Sequence, residues 1–572
     1  MSALKWDDLL IGEPGRQWRT VSTARRVLVV VHNVTAATRL LDVVPLWAGD
    51  PRIQTVFTCI GSSAFTTGTA EFLAGREITP VDWETATSDS FDLAVSASYG
   101  GPQHEIRAPL IVLPHGMGYN KFLESKNPRI QESKNPRIQE SKNPRIQESK
   151  NPVFGLSDAW LLHDGELVPS VAVLSHHEQR DRLARYCPAA LEAALVAGDP
   201  CFDRMLAGRP LRDAYRHRFG IRPEQRCVVV SSTWGGASLF GQYPSLVLRL
   251  ARELPLDEYR IVVALHPNIW HGHSPWQVRM WLAECARAGV VVLPPEEGWR
   301  AALVAADVTI GDHGSVTFYS AALGTPVLLA AWPEETVDAA SPIAALLRTA
   351  PRFDEHAALR EQLEDTIGDH SAARYADITE LATSAPGESA ALLRAEVYTR
   401  LELEEPAAPA DSAAVPLPAV DVPTVGSQLV RLRLDEHGAS AVRFPAAALD
   451  SIRDGILVTD SAEPDRRWLE LAEVLVDDDR HDDPLAWIRS SLARLPGCLL
   501  GATRDRAGAW IVTGTDLPVV RWRGADDLGP VCAALVHAWL CADRSLRDLP
   551  ELTRIRLGRR IEPIRLEVRA QD

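Results

Sequence analysis

The sequence predicts an α/β protein built from two doubly wound domains that face each other across a cleft, followed by a small C-terminal α+β domain. Three observations point there. Short β-branched runs alternate with helical apolar periods twice over, first from Arg26 to Asp203 and again from Arg226 to Ala330, as buried parallel strands covered by helices on both faces do. Several of these runs end in Gly, Ser, His or Asp, the residues of ligand-facing turns. Past Ala385 the alternation stops, and an Ala/Pro-rich stretch leads into hairpin-like segments.

Residues 1–24 read as an N-terminal extension, acidic where a signal peptide would be basic and then apolar. Arg25-Arg26 ahead of Val27 to Val31 has the outline of a twin-arginine signal. The apolar run is too short for one and ends in His32-Asn33, so a first buried strand is expected. The first domain, 25–205, continues through TAATRLLDVVPLWAG, IQTVFTCIG, a segment around Glu71 to Gly75, FDLAVSAS, PLIVLPHG, DAWLLHDG and VAVLSHHEQRDRLARY. Ser175-His176-His177-Glu178 has the form of a capping box, which makes the histidine pair the first turn of a helix rather than a metal pair.

The second domain, 206–385, holds CVVVSSTWGG, a helix over Tyr243 to Leu254, YRIVVALHPN, a helix over Trp276 to Ala288, GVVVLPP and DVTIGDHGSVTFYSAALGTPVLLA. That last stretch reads as strand, polar turn, short helix and strand. Such a unit sets free backbone N–H groups and the positive end of a helix dipole at the carboxyl edge of a sheet, where a phosphate is held. Gly314 lets the backbone approach and Ser315 adds a hydroxyl. The structural alternative is a turn whose Asp, Gly and Ser only bend the chain and cap the helix.

Two complete α/β layers predict that the chain up to Ala385 folds alone, with 386–426 a helix and an extended Ala/Pro-rich linker that contributes no core. Residues 427–572 form the α+β accessory domain. LVRLRL-DEHG-ASAVRF and CLLGATRD-RAG-AWIVTG read as hairpins, with helices around Trp487 to Leu495 and Val531 to Leu540. Asp477, Asp478 and Asp479 resemble a metal-holding D-x-D, but no nucleotide-binding βαβ precedes them, so a solvated loop is expected.

A net charge of −16 excludes a nucleic-acid protein, because no basic balance supplies counterion release. It leaves room for at most peripheral contact with a membrane. Eight scattered cysteines without a CxxC pair fit a reduced, cytoplasmic setting, and no apolar run is long enough to span a bilayer. His266, His271 and His273 lack a carboxylate or cysteine partner at usable spacing, so no metal is expected.

Four strand ends carry the candidates for chemistry: His115-Gly116 in the first domain, then Thr233-Trp234, His266-Pro267 and Asp312-His313-Gly314-Ser315 in the second. Together with Gly198, Pro200 and Asp203 in G-x-P-x-x-D and a D-x-x-S before an A-x-L-x-x-P, they resemble the CDP-glycerol glycerophosphotransferase family of teichoic-acid polymerases. The resemblance runs from about Val27 to Ala385. It implies a GT-B fold of two Rossmann-like domains, a nucleotide-activated donor and a hydroxyl acceptor, with a lipid-linked one among the candidates, and no cofactor. It places the chain in the cytoplasm, with the inner face of the membrane as the site of any contact.

Carried over by position, the resemblance makes His115 the general base, a task suited to a neutral imidazole. Donor binding falls to Thr233, Trp234, His266, Asp312, His313, Gly314, Ser315 and Val316. Gly314 and His313 stand where the family has a serine and an aromatic, and Gly235-Gly236 follow the TW pair in place of charged residues. A sugar nucleotide is therefore as compatible as CDP-glycerol. A UDP-sugar 2-epimerase relative, or a non-catalytic nucleotide-sensing scaffold whose last domain recruits a protein partner, also stays open.

Residues 124–152 repeat ESKNPRIQ three times and then ESKNP. A proline every eighth residue prevents a continuous helix, and one isoleucine per copy builds no core. The segment reads as a loop grown by tandem duplication, with a basic, acceptor-capturing loop as the functional alternative. Deleting Glu124 to Gln147 is expected to leave the melting temperature within a few degrees, since loop closure changes by only about 0.6 kcal/mol per doubling of length. Thermal melting checks this, and a larger drop identifies the repeats as packed structure.

Overall fold

A computed structural model describes residues 20–60, 68–122, 152–434, 438–449 and 454–570. The repeats, and most of the N-terminal extension, lie outside the described residues. The first unit is a six-stranded parallel sheet of β1 (Arg25–Val31), β2 (Ile53–Cys59), β3 (Leu93–Ser96), β4 (Leu110–Val112), β5 (Val171–Leu174) and β6 (Ala194–Val196), in the order β2-β1-β3-β4-β5-β6. Val27 to Val31 are buried on both faces because helices cover both.

After β1, Asn33 caps α1 (Val34–Val43) by accepting from Ala36 N at 2.9 Å. Helix α2 (His177–Tyr186) starts differently from the expected capping box. His176 is the cap, its Nδ1 accepting from Glu178 N at 3.0 Å, while Ser175 Oγ accepts from Gln179 Nε2 at 2.9 Å. An imidazole acceptor therefore does the work assigned to the serine. Helix α3 (Pro200–Gly208) closes the unit, capped by Asp199.

The second unit is a five-stranded parallel sheet of β7 (Arg226–Ser232), β8 (Tyr259–Leu265), β9 (Val291–Val292), β10 (Val308–Gly311) and β11 (Val327–Leu329), in the order β9-β8-β7-β10-β11. Its helices include α4 (Leu246–Glu253), α5 (Pro267–His273), α6 (Trp299–Ala305) and α7 (Ser315–Ala322). The helix expected over Tyr243 to Leu254 is present as Leu246–Glu253, whereas the one expected over Trp276 to Ala288 is broken in two at Leu282.

The chain then returns to the first unit. Helix α8 (Ser389–Arg400) buries Leu393, Val397 and Tyr398 in the same core as Val27 and Val29. Asp203 holds its start, accepting from Gly387 N at 2.7 Å and Ser389 N at 3.0 Å. Gly198 passes so close that a Cβ there would stand 3.0 Å from the Ala385 carbonyl. The G-x-P-x-x-D pattern thus fastens this return crossing. The following stretch has no regular structure, but it is not idle: Val415 is buried in the second unit's core, and Arg218 Nε donates to the Pro418 carbonyl at 3.2 Å.

A buried ionic junction joins the units. Asp42 on α1 receives Arg39 at 3.4 Å, Arg300 of α6 at 2.5 Å, and Arg204 of α3. Glu297 pairs with Arg300 and Asp199 lies 3.7 Å from Arg39, so three guanidinium groups meet three carboxylates.

The last part of the chain is a closed barrel, which the α+β expectation did not include. Its nine strands are β12 (Ser427–Leu434), β13 (Gly438–Pro445), β14 (Ile456–Asp460), β15 (Val474–His481), β16 (Leu500–Asp505), β17 (Trp510–Thr513), β18 (Val519–Trp522), β19 (Leu552–Leu557) and β20 (Arg560–Arg569). Both expected hairpins are present as β12–β13 and β16–β17. Helix α9 (Gly529–Cys541), apolar nearly all round, shares one core with residues from all nine strands. The barrel docks on the second unit through Arg443, whose Nε donates to Asp257 at 2.9 Å, and through Arg252 donating to the Ala448 carbonyl at 2.8 Å. Asp477 to Asp479 lie on β15, where Asp477 meets His481 and Asp478 meets Arg504.

The return of α8 argues against the chain up to Ala385 folding alone, because such a fragment exposes the face of the first sheet that α8 covers. It is expected to melt without cooperativity. A fragment ending at Gly426 keeps α8 and the linker with its buried Val415, and leaves Asp257 paired with Arg222 at 3.0 Å. That fragment is expected to melt cooperatively, and thermal melting of the two decides between them.

Candidate functional site

The carboxyl ends of both sheets open into one cavity of about 320 Å³ between the units. The first wall comes from the turns after β1, β3 and β4, with Asn33, Ser98 and His115. The second comes from the turns after β7, β8, β9 and β10, with Thr233, His266, Glu296 and Ser315. A second opening of about 690 Å³ shares Pro294 and Glu296 but holds none of the nine candidate residues.

Seven candidates line the smaller cavity: His115, Thr233, Trp234, His266, Gly314, Ser315 and Val316. The walls nearly touch, since a Cβ on Gly116 would stand 2.6 Å from Ser315 Oγ. Asp312 and His313 do not line it. The Asp312 carboxylate is buried and braces the turn, accepting from Thr233 N at 2.8 Å, Leu239 N at 3.0 Å and Gly314 N at 3.0 Å. Burial raises its pKa, and those backbone donors oppose the rise. It therefore shapes the loops around a ligand instead of facing one. His313 is buried, and its Nδ1 has no hydrogen-bond partner among the described residues.

His266 caps α5, its Nδ1 accepting from Asn268 N at 3.1 Å. The neutral ring must then carry its proton on Nε2, which makes that nitrogen a hydrogen-bond donor. Burial, with help from Lys121 and His115, pushes its pKa down to about 3. His115 falls to about 4, through burial first and the Arg39 charge next, against a hydrogen bond to the Ala97 carbonyl. His313 falls to about 3 through burial and Lys121. Helix α7 begins at Gly314 with no side-chain cap, so its first N–H groups stand at the cavity wall beside Ser315.

Two cations that the motif pattern passed over also line the cavity. Lys121 reaches from the first unit to donate to Thr233 Oγ1 at 3.0 Å, and Arg39 projects from α1. Lys121 lies three residues before the repeat segment and reads as one more of its charges, while Arg39 reads as the polar face of an amphipathic helix. Tyr319 adds a buried wall, stacked with Trp299 at 6.0 Å and donating to Asp199 at 2.5 Å. Among the described residues no group of three or more His, Cys, Asp or Glu could hold a metal ion.

No protein-family model matches the chain, and no curated protein matches it. Among solved structures, the chain is similar to the wall teichoic acid polymerase TagF, at 10% identity over 66% of this chain and 89% of that one, with a TM-score of 0.43. UDP-GlcNAc 2-epimerase from Neisseria meningitidis, bound to UDP-GlcNAc, is 13% identical over 66% of this chain and 99% of its own, with a TM-score of 0.38. S. aureus MnaA, in a structure with UDP, is 10% identical over 67% and 99%, with a TM-score of 0.36. At these scores the likeness assigns neither a family nor an activity.

Neutral, buried imidazoles make the site acid-sensitive. The folded values of about 3 to 4 at His115, His266 and His313 lie below the ordinary 6.5, so between those limits the unfolded chain binds more protons. This contribution to stability is intact above about pH 6.5 and is lost as pH falls through the folded values. Melting temperature is expected to decline continuously below about pH 6.5, and more shallowly in His313→Asn. Thermal melts across pH check both.

Proposed function

We propose that the chain is a GT-B transferase that moves a sugar or alditol-phosphate group from a nucleotide-activated donor to a hydroxyl acceptor. One observation carries the reading: a single cavity sets neutral His115 on one wall opposite a phosphate-suited set on the other. That set is His266 Nε2–H, Ser315 Oγ and the uncapped start of α7.

In this reading the donor diphosphate lies along the second wall, where fixed N–H and O–H donors stabilise charge growing on the leaving nucleotide. Thr233, Trp234, Gly314 and Val316 shape that wall, and Asp312 holds it in place. His115 accepts the proton of the acceptor hydroxyl. In the empty cavity its pKa of about 4 makes it a weak base. A bound diphosphate offsets the charges of Arg39 and Lys121 and raises that pKa toward a useful range. Residues 25–205 and 206–385 serve as the acceptor and donor domains, and the barrel as an accessory domain with its own protein partner. No described helix is long and apolar enough to cross a membrane, and all eight cysteines are free. A reduced cytoplasmic setting with peripheral contact suits both.

The reading is tested with CDP-, UDP-, GDP- and TDP-linked donors, following both transfer and binding. Binding without turnover makes the chain a nucleotide-sensing scaffold, and epimerised donor without transfer makes it a 2-epimerase relative. His115→Ala is expected to abolish transfer with nucleotide affinity held within a few fold, whereas His266→Ala and Ser315→Ala each weaken nucleotide binding by about 1–3 kcal/mol. The acid limb of kcat/KM is expected near pH 4, with the limb of kcat at higher pH, because the first reports the free enzyme and the second the loaded one. Pre-steady-state and steady-state rates over pH measure the pair.

A further inference from the structure

Lys121 stands on the first unit, yet most of its surroundings belong to the second. The segment that carries it is stitched across the cleft. Phe122 N donates to the Thr336 carbonyl at 3.1 Å, Asp338 N donates to the Asn120 carbonyl at 2.7 Å, and Lys121 pairs with Val337 in an antiparallel bridge. Nζ ends at Thr233 Oγ1, beside the phosphate-suited wall.

The groups facing this ammonium are His115 from the first unit, His266 and His313 from the second, and Asp312. Three of the four are neutral imidazoles. Asp312 attracts it but spends its oxygens on backbone N–H groups, and among the described residues no carboxylate lies within ion-pair distance of Nζ. A buried cation without a bonded counter-ion is costly, and the open cavity beside it is where a counter-ion fits. Burial lowers the lysine's pKa accordingly.

We propose that Lys121 is the cation that receives the donor's diphosphate, so that the donor is bound by both units at once and its binding fastens the cleft. The proposal rests on the nucleotide-donor reading above and adds a ligand from the opposite domain. An arriving diphosphate supplies the missing counter-charge and draws a proton onto the amine, because opposite charge favours the charged form. Binding then takes up a proton from solvent at any pH where the amine of the free protein is partly neutral.

The experiment is titration calorimetry of the full chain with CDP, UDP, GDP and TDP, in pairs of buffers of different ionisation enthalpy stepped from about pH 7.5 up to about pH 10, the ordinary lysine range. Wild-type protein is expected to bind at least one of them with net proton uptake. Lys121→Met should lose about tenfold or more in affinity together with the uptake. Lys121→Arg keeps a charge that does not titrate, and should recover affinity without recovering the uptake. A wild-type protein that binds none of the four overturns both the donor reading and this inference. A Lys121→Met protein that binds within twofold of wild type overturns the inference alone. Where Lys121→Met does not fold, the arginine variant decides: uptake equal to wild type overturns the proposal, and its loss with binding retained supports it.

Discussion

Everything at the cleft depends on the buried junction around Asp42. A carboxylate and three guanidinium groups taken out of water cost several kcal/mol each, and mutual attraction repays that cost only while the full set stays together. Asp42, Arg39 and Arg204 come from the first unit and Arg300 from the second. The network therefore exists only in one relative placement of the sheets. That placement is what brings Gly116 against Ser315 and carries Lys121 to Thr233. The ionic set adds specificity where an apolar contact would let the units slide.

The return of α8 adds a second constraint of a different kind. The first sheet is covered by a helix that follows the whole second unit in sequence, so its core closes over a long sequence separation. Contacts of that type pay loop-closure entropy before any apolar burial rewards them. Asp203, Gly198 and the buried Val415 keep this late crossing in register.

Strands β1, β3, β4, β7, β8 and β10 were legible because a strand buried on both faces must be an apolar run, and His115, His266 and Ser315 stood at the ends of three such runs. Local pattern does not say which way a turn residue faces, so Asp312 and His313 were grouped with Ser315 although the first braces the loop and neither lines the cavity. Lys121 and Arg39 were missed because a charge in sequence looks like surface until tertiary contacts bury it. The barrel was missed because its closure rests on pairings such as β13 with β19, more than a hundred residues apart, which leave no local trace beyond short strands and turns. Its hairpins were visible for the opposite reason: their pairing is local.

The barrel's attachment has a mechanical side. Arg443 clasps Asp257 in a buried ion pair, and Arg252 reaches the Ala448 carbonyl, so these clasps hold the barrel to α4 and the loop after it in the second unit. It also has no free sheet edge to fray. A rigid drum fixed to one jaw of a cleft behaves as a handle: force or tether applied to the barrel is delivered to the wall that carries His266 and Ser315, while the wall that carries His115 stays behind.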